Sequence, residues 1–235
     1  MKSIIKQIPN VFTLGNLSCG VLSILKAFEQ DWQLAAYLIF LAAFLDFFDG
    51  FFARLLHVSG ELGKQLDSLA DCVTFGVAPS ILLWQYAHSS QLGDSNSVLN
   101  YSFLLLAVFS AYRLAKFNID KRQTDSFIGV PTPITGMMVA SFAFIKDDFP
   151  LSFDFLFSNS WVYFSFCLII SLLLISEIPL VSLKIKKGKP LKFYIPQMVI
   201  ALIGLISLLF FQWLALPIIY VVYVLSSIFV NFAKK

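Results

Sequence analysis

The sequence predicts an all-α protein, a polytopic bundle of about eight transmembrane helices. Of its 235 residues, 58% are hydrophobic and only 13% are charged, whereas a soluble domain carries about 25% charged residues. The apolar residues also occur in long runs of about 17–25 residues, the length that a helix needs to cross about 30 Å of hydrocarbon. The net charge of +3 is small, so nucleic-acid binding has no support.

The predicted elements follow one another without a repeat or a linker, so we predict a single membrane domain over residues 1–235. Residues 1–9 form a short amphipathic segment that is expected to lie on the membrane surface, since Lys2 and Lys6 accompany paired isoleucines. The seventh and eighth apolar runs are separated by a very short turn, QWLALP. The predicted spans are 10–28, 32–56, 65–87, 98–118, 133–149, 160–180, 193–213 and 215–232.

The distribution of basic residues predicts the orientation of the bundle. With the N-terminus in the cytoplasm, 15 of the 17 lysines and arginines lie toward the cytoplasmic side, and Lys26 and Lys146 lie toward the other. Cytoplasmic segments of membrane proteins are enriched in these two residue types. We therefore expect both termini in the cytoplasm and an even number of spans.

Four aspartates lie among phenylalanines and leucines, where charged side chains are expensive and by default mark a functional site. Asp46 and Asp49 are three residues apart, and Asp67 and Asp71 are four apart, so each pair projects from one face of a helix. Counting about 1.5 Å per residue from Trp32, near the outer face, puts the first pair in the cytoplasmic third of the membrane. The two pairs are therefore expected to face each other near the cytoplasm.

Four carboxylates at one level would repel one another, and two divalent cations would neutralise them. Oxygen ligands without cysteine favour Mg²⁺, Mn²⁺ or Ca²⁺, and His57 is interpreted as an interfacial residue rather than a ligand. Paired metals suit phosphoryl displacement, so a pyrophosphate-containing substrate is expected. An ion or proton transporter is the alternative, although it should show paired broken helices in its two halves. Basic side chains available for the phosphates are Arg54, Arg113, Lys116, Lys121 and Arg122.

This stretch matches in full the signature of the CDP-alcohol phosphotransferase family, which it resembles at eight fixed positions across 26 residues. The resemblance implies a transmembrane enzyme, with a six-helix core extended here by two helices, that transfers a phosphatidyl or similar group from a CDP-linked donor to an alcohol and releases CMP. It also implies two metal ions held by the four aspartates, Asp71 as candidate base, and a homodimer. The eight positions are Asp46, Asp49, Gly50, Ala53, Arg54, Gly63, Asp67 and Asp71.

The resemblance further implies a binding site for the donor along the first helices. Gly50 and Ala53 lack side chains that would keep a nucleotide from the helix surface. Asn10 and Thr13 share one face at the start of the first helix, where they either begin the helix or contact the cytidine and its phosphates. Asn16, one turn deeper, is expected to line the same cavity. The implied donor-binding set is Asn10, Thr13, Asp49, Gly50, Ala53, Arg54, Gly63 and Asp67.

Three further stretches resemble the phosphatidylserine synthase branch of the family: PNVFTLGN at 9–16, RLAKFN at 113–118 and GVPTP at 129–133. Lys116 stands where the branch has arginine. The resemblance implies CDP-diacylglycerol as donor and L-serine as acceptor, with Arg113, Lys116 and Asn118 as candidates for binding serine or phosphate. The basic inner side would favour the anionic donor among the membrane lipids. The alternative for the RLAKFN stretch is a positive-inside anchor, and the alternative for the GVPTP stretch is a plain connector. The alternative acceptors are glycerol 3-phosphate and inositol phosphate.

Overall fold

A computed structural model describes residues 7–58, 60–90, 98–120, 128–181 and 195–232, and these ranges are helical with no strand longer than a single bridge. The all-α fold class is thereby confirmed. The helices are α1 (Ile8–Phe28), α2 (Trp32–Leu55), α3 (Glu61–Asp71), α4 (Ala78–Ser89), α5 (Phe103–Ile119), α6 (Thr132–Asp148), α7 (Pro150–Phe157), α8 (Ser160–Ile175), α9 (Ile195–Phe211) and α10 (Ala215–Phe232).

Local sequence explains where the first helices begin and end. Pro9 lies in the first turn of α1, where its missing N–H has no helical acceptor to lose. The carboxylate of Asp31 accepts a hydrogen bond from the Leu34 amide at 3.1 Å and caps α2. Because only three residues separate α1 from α2, the two helices pack along each other. This pairing sets polar residues of α1 opposite the aspartates of α2.

A π-helical turn, Cys72–Val77, joins α3 to α4 and makes one long element of them. Its neighbours approach closely: a Cβ on Gly20 of α1 would lie 2.3 Å from Thr74 Oγ1, and a Cβ on Gly136 of α6 would lie 3.0 Å from Phe75 Cα. Glycine allows such backbone contact because it carries no side chain. The turn is thus enclosed by packed helices directly after Asp71, the last residue of α3.

The core contains small and aromatic side chains, and the outer surface is strongly apolar. Ala35, Ala36 and Ile39 of α2 are fully buried, as is Tyr86 of α4. The outward faces expose valine, leucine and phenylalanine along α1, α2, α9 and α10, far more apolar surface than a soluble monomer presents. This surface is that of a protein embedded in lipid.

Five described helical stretches are long and apolar enough to cross a membrane, and six if α7 and α8, bent by 88° at their junction, form one span. The last of the five contains both α9 and α10, which pack as a hairpin, since a Cβ on Gly204 would lie 3.5 Å from Ile219. The predicted count of eight therefore stays a prediction. The five are Ile8–Phe28, Trp32–Leu55, Glu61–Ser89, Val98–Ile119 and Gln197–Asn231.

Two predicted boundaries differ from the structure. The third span begins at Glu61 rather than at 65, because Gly60 is extended and starts the helix. The span predicted for 160–180 ends at Ile175, because Ser176 is extended with a ψ of 147° and the chain runs on without helix to Pro179. The separate helix α7 was not anticipated. Most of the amphipathic N-terminal segment, Lys121 and Arg122, and the basic residues after 181 lie outside the described residues.

Candidate active site

A cavity of about 780 Å³ opens between the start of α1, the end of α2 and the start of α3. Seven of the eight predicted donor-binding residues line it, and the eighth, Arg54, is exposed with its guanidinium folded toward Gly50. Gln7, His57 and Lys64 also contribute to the wall. The seven are Asn10, Thr13, Asp49, Gly50, Ala53, Gly63 and Asp67.

The structure brings the four aspartates together next to this cavity, and Asp49 and Asp67 line it. Carboxylate oxygens of Asp46, Asp49 and Asp67 all lie within 4.8 Å of one another. Asp46 is also in hydrogen-bonding contact with Asp67 and Asp71. Asp49 and Asp71 are buried, and the other two are half-buried. The predicted meeting of the two pairs is therefore observed.

Polar side chains of α1 hold two of these carboxylates in place. Thr13 Oγ1 donates to Asp49 Oδ2 at 2.7 Å, and Asn16 Nδ2 donates to Asp71 Oδ1 at 3.2 Å. The Asn16 backbone carbonyl in turn accepts a hydrogen bond from Thr74 Oγ1 at 3.1 Å. α1 thus connects the carboxylates of α2 and α3 to the π-helical turn.

The donor set fits a hard divalent cation. Asp46, Asp49 and Asp67 offer only oxygen atoms, and oxygen is the ligand type of Mg²⁺, Mn²⁺ and Ca²⁺. Carboxylates at such short separations repel unless a proton or a cation lies between them. The hydrogen bond from Thr13 fixes a ligand carboxylate from outside, as supporting groups do around metal sites. These three residues therefore fit a metal ion.

Arg113 lies close enough to Asp71 for an electrostatic interaction between the two side chains. Its side chain is buried and interacts electrostatically with Asp71. Its Nη1 donates to Thr132 Oγ1 over 3.5 Å, and its buried Nε has no hydrogen-bond partner in the described part of the chain. Thr132 was not anticipated, although it belongs to the GVPTP stretch. The guanidinium thus retains a free donor at the level of the aspartates.

Lys116, the second cation of the predicted acceptor set, instead pairs with a carboxylate of the segment after α8. Its Nζ forms an ion pair with Glu177 Oε1 at 3.1 Å. Asn118 donates through Nδ2 to Ser68 Oγ at 2.8 Å. Its backbone carbonyl accepts from Lys64 Nζ at 2.7 Å. In the structure, Asn118 connects α5 to α3.

Two residues of the cavity wall, Lys64 and His57, lie outside the predicted donor-binding set although the sequence carries a signal for each. Lys64 directly follows the signature glycine Gly63 on the same exposed turn of α3. His57 takes a left-handed backbone conformation with φ of 52° at the end of α2, where a positive φ is common. Both side chains lie at the mouth of the cavity.

Comparison with known proteins agrees with this geometry. The model of the CDP-alcohol phosphatidyltransferase family matches residues 6–175. The chain is 40% identical over 137 residues to the CDP-diacylglycerol–serine O-phosphatidyltransferase of Bacillus subtilis, covering 58% of this chain and 75% of that protein. It is 33% identical over 175 residues to the Helicobacter pylori (strain 26695) protein of the same name, with 72% and 70% covered.

An archaeal protein is similar as well. The archaetidylserine synthase of Methanothermobacter thermautotrophicus is 32% identical over 138 residues, or 57% of each chain. The family match covers well over half of the present chain and includes all four aspartates. The chain therefore belongs to the CDP-alcohol phosphatidyltransferase family.

Proposed function

We propose that the protein is a CDP-diacylglycerol–serine O-phosphatidyltransferase, which transfers a phosphatidyl group to the hydroxyl of L-serine and gives phosphatidylserine and CMP. The observation that carries this proposal is the convergence of the four signature aspartates next to a cavity that two of them line, with Arg113 in electrostatic interaction with Asp71. The bacterial relatives are named for this reaction. The archaeal relative is named for a serine product with a different lipid. All of these names therefore include serine.

The donor would bind in the cavity between α1, α2 and α3. Its volume of about 780 Å³ lies within the usual range of small-molecule sites. Gly63 keeps α3 close to α1, since a Cβ there would lie 3.3 Å from Asn10 Oδ1. Lys64 in the cavity wall and Arg54, whose guanidinium lies beside Gly50, are cations that could attract the diphosphate. The diacylglycerol part would extend from the cavity into the membrane.

Asp46, Asp49 and Asp67 would hold the divalent cations, with Asp71 as the fourth carboxylate. We propose two ions, Mg²⁺ or Mn²⁺, with Ca²⁺ as a further possibility. When bound, they would stabilise the negative charge on the phosphoryl group during transfer. Thr13 would keep Asp49 oriented in the absence and in the presence of the metal.

Asp71 is the candidate base for the serine hydroxyl. The hydroxyl oxygen attacks the phosphorus that carries diacylglycerol, and a new P–O bond forms. The bond from that phosphorus to the CMP oxygen breaks, and CMP leaves with the bonding electrons. The hydroxyl proton passes to the carboxylate of Asp71. Asn16 donates to one oxygen of this carboxylate and keeps it oriented.

Arg113 is proposed to bind the serine carboxylate. Its free Nε donor and its place beside Asp71 suit a carboxylate next to the reacting hydroxyl. Acceptors with a phosphate dianion would call for more positive charge at this point. Lys116 is paired with Glu177, which leaves Arg113 as the unpaired cation of the predicted acceptor set among the described residues. This favours serine over glycerol 3-phosphate or inositol phosphate.

A screen of acceptors tests the proposal. Purified protein is supplied with CDP-diacylglycerol, Mg²⁺ or Mn²⁺, and serine, glycerol 3-phosphate or inositol phosphate in turn, and CMP release is measured. We expect release with serine and its loss on metal chelation. Release with another acceptor alone would overturn serine as substrate. No release with any acceptor would overturn the enzymatic proposal.

A further inference from the structure

The last helix carries a stripe of polar residues on one face, namely Tyr220, Tyr223, Ser227 and Asn231. Their spacing of three, four and four residues keeps them within about 80° of one another around the helix. The two tyrosines and Ser227 are buried in the protein. Polar groups in a lipid-embedded helix need internal partners, so the partners of this polar stripe indicate what it does.

Three members of the polar stripe hold the backbone that follows α8. Ser227 Oγ accepts from the Val181 amide at 3.1 Å and donates to the Tyr223 carbonyl at 2.7 Å. The Tyr223 hydroxyl donates to the Val181 carbonyl at 3.2 Å. Asn231 Nδ2 donates to the Pro179 carbonyl. This non-helical backbone would otherwise leave polar groups without partners.

Residues 178–181, which α10 contacts, in turn contact the loop at residues 128–131 before α6. Ile128 and Pro179 form an antiparallel bridge, and the Gly129 amide donates to the Ile178 carbonyl at 3.0 Å. Gly129 has a φ of +75°, and a Cβ there would lie 2.4 Å from the Leu174 carbonyl oxygen. Glycine alone fits this position. The loop is therefore fixed against the end of α8 through backbone contacts.

The loop leads directly to Thr132 and through it to Arg113, the proposed acceptor-binding residue. α6 begins at Thr132, whose hydroxyl accepts from Arg113 Nη1. Tyr220 of the polar stripe reaches the next turn of α6, where its hydroxyl lies 3.4 Å from Thr135 Oγ1. A continuous series of contacts thus runs from α10 through residues 178–181 and 128–132 to Arg113.

We propose that Tyr223, Ser227 and Asn231 are positioning residues for the acceptor. They fix Thr132 through the two backbone segments, and Thr132 fixes the guanidinium of Arg113. All three lie beyond residue 175, where the match to the family ends, so the family signature does not cover them. The proposal rests on the proposed function, because acceptor binding at Arg113 is its readout.

The kinetic test uses the double variant Ser227→Ala/Asn231→Leu in the full-length protein. We expect the KM for serine to rise about fivefold or more, since the two hydrogen bonds from these side chains to Val181 and Pro179 are lost. We expect kcat and the KM for CDP-diacylglycerol to change less than about twofold, because the aspartates are not touched. Ser227→Thr keeps the hydroxyl and should retain the wild-type KM. Leu225→Ala and Phe229→Ala, on the exposed side of α10, are matched controls.

Hydrogen–deuterium exchange supplies a readout that needs no activity. The amides of Val181, Gly129 and Val130 should exchange faster in the double variant than in wild type or in Phe229→Ala. Should the double variant fail to fold, Tyr223→Phe removes one hydroxyl and should shift exchange and serine KM in the same direction.

The outcomes separate this inference from the proposed function. An unchanged serine KM, or a fall in kcat alone, overturns the positioning role. Faster exchange at Val181 without a change at Gly129 also overturns it, because the two segments are then not coupled. If wild type releases no CMP with serine, the proposed function fails, and the exchange at Gly129 still decides whether α10 positions the loop.

Discussion

Side chains of α1 organise the carboxylates that α2 and α3 supply. Thr13 and Asn16 are three residues apart, and each donates to a different buried aspartate. Removing such a donor leaves a buried carboxylate with fewer partners, which is costly in a low-dielectric interior. The first helix is therefore part of the candidate active site and not only an anchor in the membrane.

Asp71→Asn should abolish turnover while largely preserving donor binding. The amide keeps the shape of the carboxylate but cannot accept the hydroxyl proton, and the loss of a general base typically lowers rates by about 10²- to 10⁴-fold. CMP release and CDP-diacylglycerol binding are to be measured on the same preparation. Asp148→Asn, an exposed residue at the end of α6, is the control. Near-normal turnover would refute the role of Asp71.

Arg113→Ala should raise the KM for serine by about 10- to 100-fold, the usual effect of losing a charged hydrogen-bond partner. Lys116→Ala should have the smaller effect, since its ion pair with Glu177 is partly exposed and such pairs contribute little. Initial rates at varied serine concentration measure both. A serine KM that is unchanged in Arg113→Ala would exclude this residue from acceptor binding.

At the scale of elements, the π-helical turn between α3 and α4 explains how Asp71 is held. A π-helical turn shifts the register of the helix and is often found at functional sites. Here it begins one residue after Asp71 and contacts α1, α5 and α6. Gly20 and Gly136 permit this contact. The orientation of Asp71 thus depends on close backbone packing of three surrounding helices.

Gly20→Ala should destabilise the bundle, by roughly 1–3 kcal/mol as overpacking usually does. The added Cβ would lie 2.3 Å from Thr74 Oγ1 and 2.9 Å from Thr74 Cα, so the turn or α1 must shift. Thermal unfolding in detergent measures the effect. Gly204→Ala, where the nearest atom would be 3.5 Å away, should be close to neutral. Equal stability of the two variants would contradict the packing argument.

At the scale of the whole molecule, the apolar outer surface identifies a membrane protein, and the site opens at one end of the bundle. The open cavity lies at the junction of α2 and α3. The distribution of lysine and arginine leads us to propose that this end faces the cytoplasm with both termini. A serine hydroxyl and a CDP head group would then meet there without crossing the hydrocarbon. A homodimer remains a proposal that rests on the family resemblance.

Cysteine labelling in intact cells tests this orientation. Asp148→Cys, between α6 and α7, should react with a membrane-impermeant thiol reagent, because we expect it on the outer side. Gly60→Cys, exposed between α2 and α3, should react only after permeabilisation. Cys19 and Cys167 are buried and Cys72 is half-buried, so wild type labelled in parallel gives the background. The reverse labelling pattern would show that the bundle has the opposite orientation.

The sequence by itself determined the fold class and the four aspartates. Lipid forces every backbone group in a span to be satisfied within its own helix, so apolar runs predict helices directly. Helical spacing then places Asp46 with Asp49 and Asp67 with Asp71, because neighbours three or four residues apart share a face. Both results depend only on residues that are close in the chain, and both agree with the structure.

The tertiary structure alone decided which partners the remaining polar residues find. Lys116 pairs with Glu177, Arg113 with Thr132, and Asn118 with Ser68. These partners are separated in the chain by 61, 19 and 50 residues. No local pattern encodes such a pairing, since it depends on how the helices pack and on where the non-helical segments run between them. For the same reason, a role for the polar stripe of α10 can be inferred only from its contacts to residues 179–181.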